Sequence, residues 1–358
     1  MGIYIYNYIS LPLYSRLFDR KKFCILASLQ MFLILALRAD TVGVDLVTYK
    51  QAFGYIADLG FSDVMLRFRL LHTAALPYPF DLESGWMLLN WIVSFFGFGF
   101  QTLLVVCAAI NMYACGKLIY KCSYVPWLSF CIIASMNIYT YMFGILRQSL
   151  ALSFVILAVD AYNEEKGRKA ILLCIVAFLL HRTALLSIVL FAILKWNCAK
   201  KKQYELILFS WALFTSITPI LYSRFVVKFM VFFKKAYVGH GMVINNLMLL
   251  LLLIGVLIYL LLDFNNLSSP MEKLFIWGVV AAIYWETLGM YNDNLARSVQ
   301  YFLIFVALVI PMVLHYYPSK KIAQFGMGVI YVFLFIYMLY SLGNSAIVPY
   351  QAFWEKMA

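Results

Sequence analysis

An all-α, polytopic integral membrane helix bundle is the fold class this sequence predicts, on three observations. Only 12% of the 358 residues are charged, where a soluble chain would carry about one-quarter, and 65% are hydrophobic. Mean hydropathy is +0.88. Apolar runs of about 15 to 22 residues, long enough to carry a helix across a bilayer, recur along the chain. The expectation is about eleven transmembrane helices plus one short re-entrant or interfacial helix, within a single transmembrane domain covering 1–358.

At the start of the chain, Arg16, Arg20, Lys21 and Lys22 come after a Tyr-rich stretch and precede the first span, 23–38. No cleavable signal peptide is expected, since that span ends at Arg38 without a small-residue cleavage site. The longest polar stretch, 39–83, is read as an extracytoplasmic loop. The segment 84–96 is apolar but too short to span, and Gly97 and Gly99 interrupt the residues after it. Counting it as a full span would invert every later loop against the distribution of basic residues, so it is read as a half-helix entering from outside. Spans at 100–120, 124–142, 144–161, 169–182, 183–197 and 204–220 come next. A weaker polar stretch, 221–242, carries Arg224, Lys228, Lys234, Lys235 and His240 and is the second extracytoplasmic loop. Spans at 243–262, 273–290, 298–315 and 322–341 complete the chain.

Basic residues set the orientation. Lys117 and Lys121, then Lys166, Arg168 and Lys169, then Lys195, Lys200, Lys201 and Lys202, and finally Lys320 and Lys321 fall in alternate short loops. Placing these in the cytoplasm puts 39–83, 139–147, 180–183, 221–242 and 290–297 outside. Lys228, Lys234 and Lys235 are then external, in an amphipathic run, 225–233, read as lying flat on the membrane. The net charge of +12 is spread over these short loops, which argues against nucleic acid and for orientation signals and anionic lipid or substrate. Thirty Phe, twenty-six Tyr and eight Trp suit packed membrane helices with aromatic interfaces. The seven cysteines lie in or beside apolar segments and at no zinc-ligand spacing, so they read as small core side chains.

Against this background Arg38, Arg147, His181, Arg182 and Arg297 stand out, because they lie at or inside the ends of apolar segments on the same expected face. A cation there costs several kcal/mol unless it reaches water, a partner or an anion. Arg38 is followed by Asp40, Gly43, Asp45 and Tyr49; it either snorkels and pairs with Asp40 or faces a substrate phosphate. Arg147 and Gln148 open an otherwise apolar helix, where a cation gains nothing from the helix dipole and is better explained by an anion. His181 and Arg182 occupy a tight hairpin between two spans; His181 is either a polar cap or a general base, since imidazole titrates near neutral pH. Arg297 starts an aromatic-rich helix, and Glu286 in the preceding span either pairs with it or binds a sugar hydroxyl. No P-loop, GxSxG, HExxH or DxD-type motif occurs in a usable context, so an enzyme of this kind would draw its energy from an activated substrate.

Taken together, these clusters resemble the polysaccharide polymerases of the EpsG and Wzy type. The matching features are Arg38 with Val42, Gly43, Asp45 and Tyr49; the run Glu83, Ser84, Gly85 and Trp86; residues 145–151 with Arg147 and Gln148; a helix ending in His181; and Arg297 opening a Tyr/Phe-rich helix. Arg182 intervenes where the family more often has Lys or a small residue, and 1–14 resembles a shortened first span. The resemblance covers roughly 30–310. It implies a GT-C-like, metal-independent glycosyltransferase of the bacterial inner membrane, needing no cofactor, that joins repeat units carried on undecaprenyl diphosphate. Its implied partners are that lipid-linked oligosaccharide, membrane lipid, a chain-length regulator and a flippase. The expected catalytic residues are His181, Arg147 and Arg297, the arginines holding the diphosphate and His181 deprotonating the acceptor. Arg38, Asp45, Tyr49, Glu83, Gln148, Arg182 and Glu286 are expected to bind substrate, with the loop 39–83, Asp81 included, contacting sugar hydroxyls or forming a lid. A transporter would place its charges nearer the midplane and show paired broken helices in two repeated halves, which this chain does not. An acyltransferase that modifies surface sugars fits His181 beside Arg182 poorly, whereas a polymer ligase would share the polymerase chemistry.

Overall fold

The computed structural model describes residues 1–69, 81–226 and 245–355. With 81% helix, and no strand among the described residues beyond an isolated bridge between Arg38 and Ala352, the chain is all-helical. The helices are α1 (Gly2–Leu17), α2 (Arg20–Ala36), α3 (Leu46–Ala57), α4 (Phe61–Arg69), α5 (Ser84–Phe95), α6 (Phe100–Cys122), α7 (Pro126–Ser135), α8 (Asn137–Gly144), α9 (Leu146–Asn163) and α10 (Gly167–Leu180). A 3₁₀ turn, Arg182–Leu186, leads to α11 (Ser187–Trp196) and α12 (Lys201–Leu221). Then come α13 (Asn246–Leu261), α14 (Pro270–Gly289), α15 (Asp293–Ser298), α16 (Gln300–Leu303), α17 (Val306–Tyr316) and α18 (Lys320–Gly343).

Among the described residues, three helices can cross a membrane by length and composition: Phe100–Cys122, Lys201–Arg224 and Lys320–Gly343. A fourth span results if Asp293–Leu303 and Val306–Tyr316, bent by 41°, count together. Lys201–Arg224 exposes Leu206, Phe209 and Leu213, an outward apolar face that calls for hydrocarbon rather than water.

The chain forms two compact units, Met1–Ser187 with Gly328–Ala358, and Ile188–Met327. In the first, α2 packs on α6, α6 on α9, and α9 on α10. Asn111 of α6 meets Ser149 and Ser153 of α9: its Nδ2 donates to Ser149 Oγ (3.3 Å), and Ser153 Oγ donates to its Oδ1 (2.8 Å). All three are buried, so these bonds both satisfy the polar groups and fix the register of the two helices. The C-terminal ends of the same helices carry Asp160, which binds Lys117 (2.8 Å) and Lys121 (2.7 Å). Glu164 accepts from Lys121 and binds Lys166 (2.7 Å), and these lysines hold its carboxyl down at about 2. In the second unit α14 packs on α12, α13, α15 and α17. Its N-terminus is closed by a reciprocal cap between Ser269 and Glu272, whose Oε1 also accepts from Tyr316 OH (2.6 Å).

Four elements depart from the expectations. The region 39–83 is not simply a loop: α3 and α4 lie within it, because 46–57 buries Leu46, Tyr49, Ala52, Phe53 and Ile56 at helical spacing. The span expected at 124–142 breaks at Met136, whose extended backbone separates α7 from α8. The span expected at 298–315 starts earlier, where Asn292 caps Asn294 N (3.0 Å), and continues as three short helices. Residues 1–14 form part of a full helix, α1. The segment 84–96 does contain a short helix, α5, which ends before Gly97 at φ +76°. The amphipathic run 225–233, with Lys228, Lys234 and Lys235, lies outside the described residues apart from the backbone of its first two positions.

Candidate active site

Two close backbone approaches, each made possible by glycine, build the site in the first unit. Where the chain leaves α2 it passes Gly43 (φ +135°), and a Cβ there would lie 2.5 Å from Phe143 O. Across the same contact, a Cβ on Gly144 would lie 2.5 Å from Val44 O. The turn before α3 therefore rests on the junction between α8 and α9. This brings Tyr49 of α3 to Arg147, the second residue of α9: Arg147 Nε donates to Tyr49 OH (3.3 Å), and the guanidinium carbon lies 5.7 Å from the tyrosine ring centre. Trp86 packs edge-on against the same ring, with centroids 5.4 Å apart.

The second approach is at Gly85. A Cβ there would sit 2.7 Å from Leu179 O and 2.8 Å from Leu179 Cβ, so the N-terminus of α5 touches the end of α10 directly. Helix α10 stops at Leu180, because His181 is extended (φ −159°, ψ 126°), and the 3₁₀ turn begins with Ala184 N donating to His181 O (3.0 Å). The residue preceding α5 and the residue following α10 are thereby brought together.

They are Glu83 and His181. The Glu83 side chain is 2% exposed. Its Oε2 accepts from Arg147 Nη1, and its Oε1 lies 2.8 Å from His181 Nδ1. Arg147 Nη1 also donates to Asp81 O (3.1 Å), and Arg182 Nη2 to Asp81 Oδ1 (3.2 Å). One buried carboxylate thus bridges an arginine from α9 and the histidine after α10. A carboxylate facing Nδ1 favours the imidazole tautomer protonated there, which makes Nε2 the basic nitrogen. The arrangement can place a cation for an anion beside a base for a hydroxyl proton.

Tyr49, Glu83, Arg147, His181 and Arg182 are brought together, and Gln148 is buried next to Arg147 on α9. Asp45 is exposed at the start of α3 with φ +66°. Arg38 lies deeper than a helix-end cation would suggest. It is 1% exposed and donates to Leu35 O, to Phe143 O (3.0 Å) and to Met142 O (3.4 Å), with its charge 5.2 Å from the Phe143 ring centre. Backbone carbonyls therefore hold its two terminal nitrogens, while its Nε has no partner among the described residues. Asp40 does not pair with it; Lys50 takes Asp40 at 2.5 Å.

In the second unit, Glu286 is 1% exposed and accepts from Asn245 Nδ2 (2.6 Å) rather than pairing with Arg297, while its Oε2 has no partner among the described residues. Arg297 lies half-buried on α15, where Trp285 Nε1 donates to the neighbouring Ser298 Oγ (2.8 Å). Sequence reasoning missed Asn245 as the partner of Glu286 and Asp81 as the partner of Arg182. Asn245 carried a signal, the first of two Asn residues ahead of an apolar run, and it also caps α13 by accepting from Met248 N (2.9 Å). Asp81 carried none. Among the described residues no three His, Cys, Asp or Glu side chains come together as a metal-binding group.

The model of the EpsG family matches residues 21–352, nearly the whole chain. No curated protein and no solved structure matches it.

Proposed function

The chain belongs to the EpsG family, a Wzy-type polysaccharide polymerase family, and from that premise we propose that it joins oligosaccharide repeat units carried on undecaprenyl diphosphate into a surface polysaccharide. The observation that carries the residue-level reading is the Glu83 carboxylate held between Arg147 and His181. In the proposed step an acceptor hydroxyl oxygen attacks the anomeric carbon of the donor. The bond from that carbon to the phosphate oxygen breaks, and its electron pair leaves with the lipid diphosphate. The hydroxyl proton passes to His181 Nε2, so the products are the glycosidic bond, a diphosphate with one more negative charge, and an imidazolium. Arg147 stabilises the charge that grows on the leaving oxygen, an interaction stronger in the transition state than in the ground state. In this reading no metal ion is required, because arginine charge does that work. Asp45, Tyr49, Gln148 and Arg182 would line the sugar and diphosphate sites. Arg297 and Glu286, in the other unit, keep as separate proposals the diphosphate and sugar-hydroxyl roles expected of them.

We place the reaction on the extracytoplasmic face of the inner membrane. Arg147 and Asp160 lie thirteen residues apart on α9, about 20 Å along its axis, so the Glu83 cluster and the lysine-rich end are at opposite ends of one helix. Basic residues favour the cytoplasmic side, which supports an outside position for the cluster. The eleven-span GT-C-like topology, the loops 39–83 and 221–242 outside, and the flippase and chain-length partners belong to the same proposal.

The test is a deletion strain complemented with wild type, Arg147→Ala or His181→Ala at matched membrane expression. Loss of the polysaccharide ladder, with single repeat units still reaching the surface, is the expected result. Normal ladders from both variants would refute the assignment, and absence of any surface repeat unit would point to export instead.

A further inference from the structure

We propose that the segment following α18, residues 344–355, is a strap that positions the candidate active site: it grips the turn between α2 and α3, and through that turn sets Tyr49 against Arg147. The proposal rests on the polymerase reading of the site and goes beyond it, by adding a positioning element from the far end of the chain. The strap runs antiparallel to the residues that leave α2. Ala39 N donates to Gln351 O (2.8 Å) and Phe353 N to Leu37 O (2.9 Å), which makes Arg38 and Ala352 a β-bridge. Further along the same turn, Gly43 N donates to Ala346 O (3.1 Å). Tyrosine hydroxyls pin the strap to the first two helices: Tyr4 of α1 donates to Ile347 O (2.8 Å), and Tyr350 donates to Ile34 O of α2 (3.1 Å). The side chain of Ile347 is the strap's buried anchor, with the residue only 3% exposed.

The turn gripped in this way is the one on which the site is built. On one side Gly43 rests against Phe143 O and Gly144, and on the other its amide is held by the strap. A short turn with a glycine at φ +135° has much conformational freedom, which bonds to the Ala39 and Gly43 amides remove. Helix α3 starts directly after the turn, where Tyr49 N donates to Asp45 O (3.0 Å), and Lys50 ties α3 back to Asp40 (2.5 Å). A displaced turn therefore carries α3 with it. The bond from Arg147 Nε to Tyr49 OH is already 3.3 Å long, so a small displacement is enough to break it. Because the strap follows the last helix of the chain, it can leave the turn without any helix unwinding, as a local opening distinct from loss of the bundle. The proposed orientation agrees with the contact: Lys320 and Lys321 open α18 in the cytoplasm, which leaves its other end on the side of the site.

The experiment is amide hydrogen exchange on the full-length protein in nanodiscs, paired with chain growth in liposomes, for wild type, Ile347→Val and Ile347→Ala. Trimming the anchor should open the strap about fivefold more often in Ile347→Val and about a hundredfold more often in Ile347→Ala. Amides of residues 39–49 should exchange faster in that order, and kcat should fall in the same order, with Ile347→Val close to wild type. Exchange in α6 and α9 should stay as in wild type. Exchange raised equally throughout α6 and α9 would mean that Ile347 supports the whole bundle, and would overturn the proposal. So would wild-type kcat in a protein whose residues 39–49 exchange a hundredfold faster. If Ile347→Ala does not accumulate, Tyr350→Phe loses only the hydroxyl bonded to Ile34 O and should raise exchange at 39–49 alone, by about fivefold. Unchanged exchange there would refute the strap. The polymerase reading fails separately, if the exchange pattern is as stated and yet wild type builds no chain from lipid-linked repeat units.

Discussion

Replacing Gly85 with alanine is the smallest change expected to take the site apart. The added Cβ would stand 2.7 Å from Leu179 O and 2.8 Å from both Leu179 C and Cβ, whereas ordinary contact begins at 3.4 Å. All but one of these atoms are backbone, so no side-chain rotation relieves the clash, and α5 must move off α10 by about 0.7 Å. Glu83 is two residues before Gly85, and its bond to His181 is 2.8 Å long. A shift of that size carries the pair beyond 3.2 Å, where a hydrogen bond is weak. Overpacking of this kind costs about 1–3 kcal/mol, which a protein of this size tolerates, so Gly85→Ala should still accumulate in the membrane. Misplacing the catalytic pair by close to 1 Å should cost about a hundredfold in turnover. The assay is chain elongation by purified protein in liposomes, alongside a thermal melt. Wild-type turnover by a correctly folded Gly85→Ala protein would refute the link from the glycine through Glu83 to His181.

Further outcomes are expected from single contacts. Arg147→Lys keeps the charge but cannot reach Tyr49 OH, Asp81 O and Glu83 together, so turnover should fall about a hundredfold with little change in melting; wild-type rates would speak against the guanidinium geometry. Arg38→Lys loses most of the carbonyl bonds that Arg38 makes and should destabilise the fold by about 3 kcal/mol, read as a lower melting temperature without a selective rise in donor KM. Asp160→Asn strips Lys117 and Lys121 of their shared partner and should lower stability by about 1 kcal/mol after allowance for their partial exposure, again by thermal melt. Glu164 has a folded value of about 2 against an ordinary 4.5, so its contribution is present above that ordinary value and fades as pH falls toward 2. The melting difference between wild type and Glu164→Gln should therefore shrink between pH 4.5 and pH 3.

What the sequence made legible was whatever a local pattern can carry. Apolar runs located most helices, and short motifs named Arg147, Glu83 and His181. Their meeting was not legible, since it depends on Gly85 touching Leu179 and on Gly43 and Gly144 interlocking across a hundred residues of chain. Helix α3 hid in a polar stretch because its buried apolar residues recur at helical spacing over only twelve residues instead of forming a continuous run. The fate of Arg38 was also hidden: a sequence shows a cation at a helix end, whereas the carbonyls that hold it belong partly to the junction of α8 and α9. The break at Met136 lies between Ser135 and Asn137, two polar residues that a hydropathy average over the surrounding apolar run smooths away.

The most direct measurement is chain growth by the purified protein in liposomes supplied only with repeat units on undecaprenyl diphosphate. Wild type is expected to produce a ladder of lengths with release of lipid diphosphate, and Arg147→Ala and His181→Ala to produce neither. Movement of the lipid-linked units across the bilayer without any joining, or unimpaired ladders from both variants, would contradict the polymerase assignment.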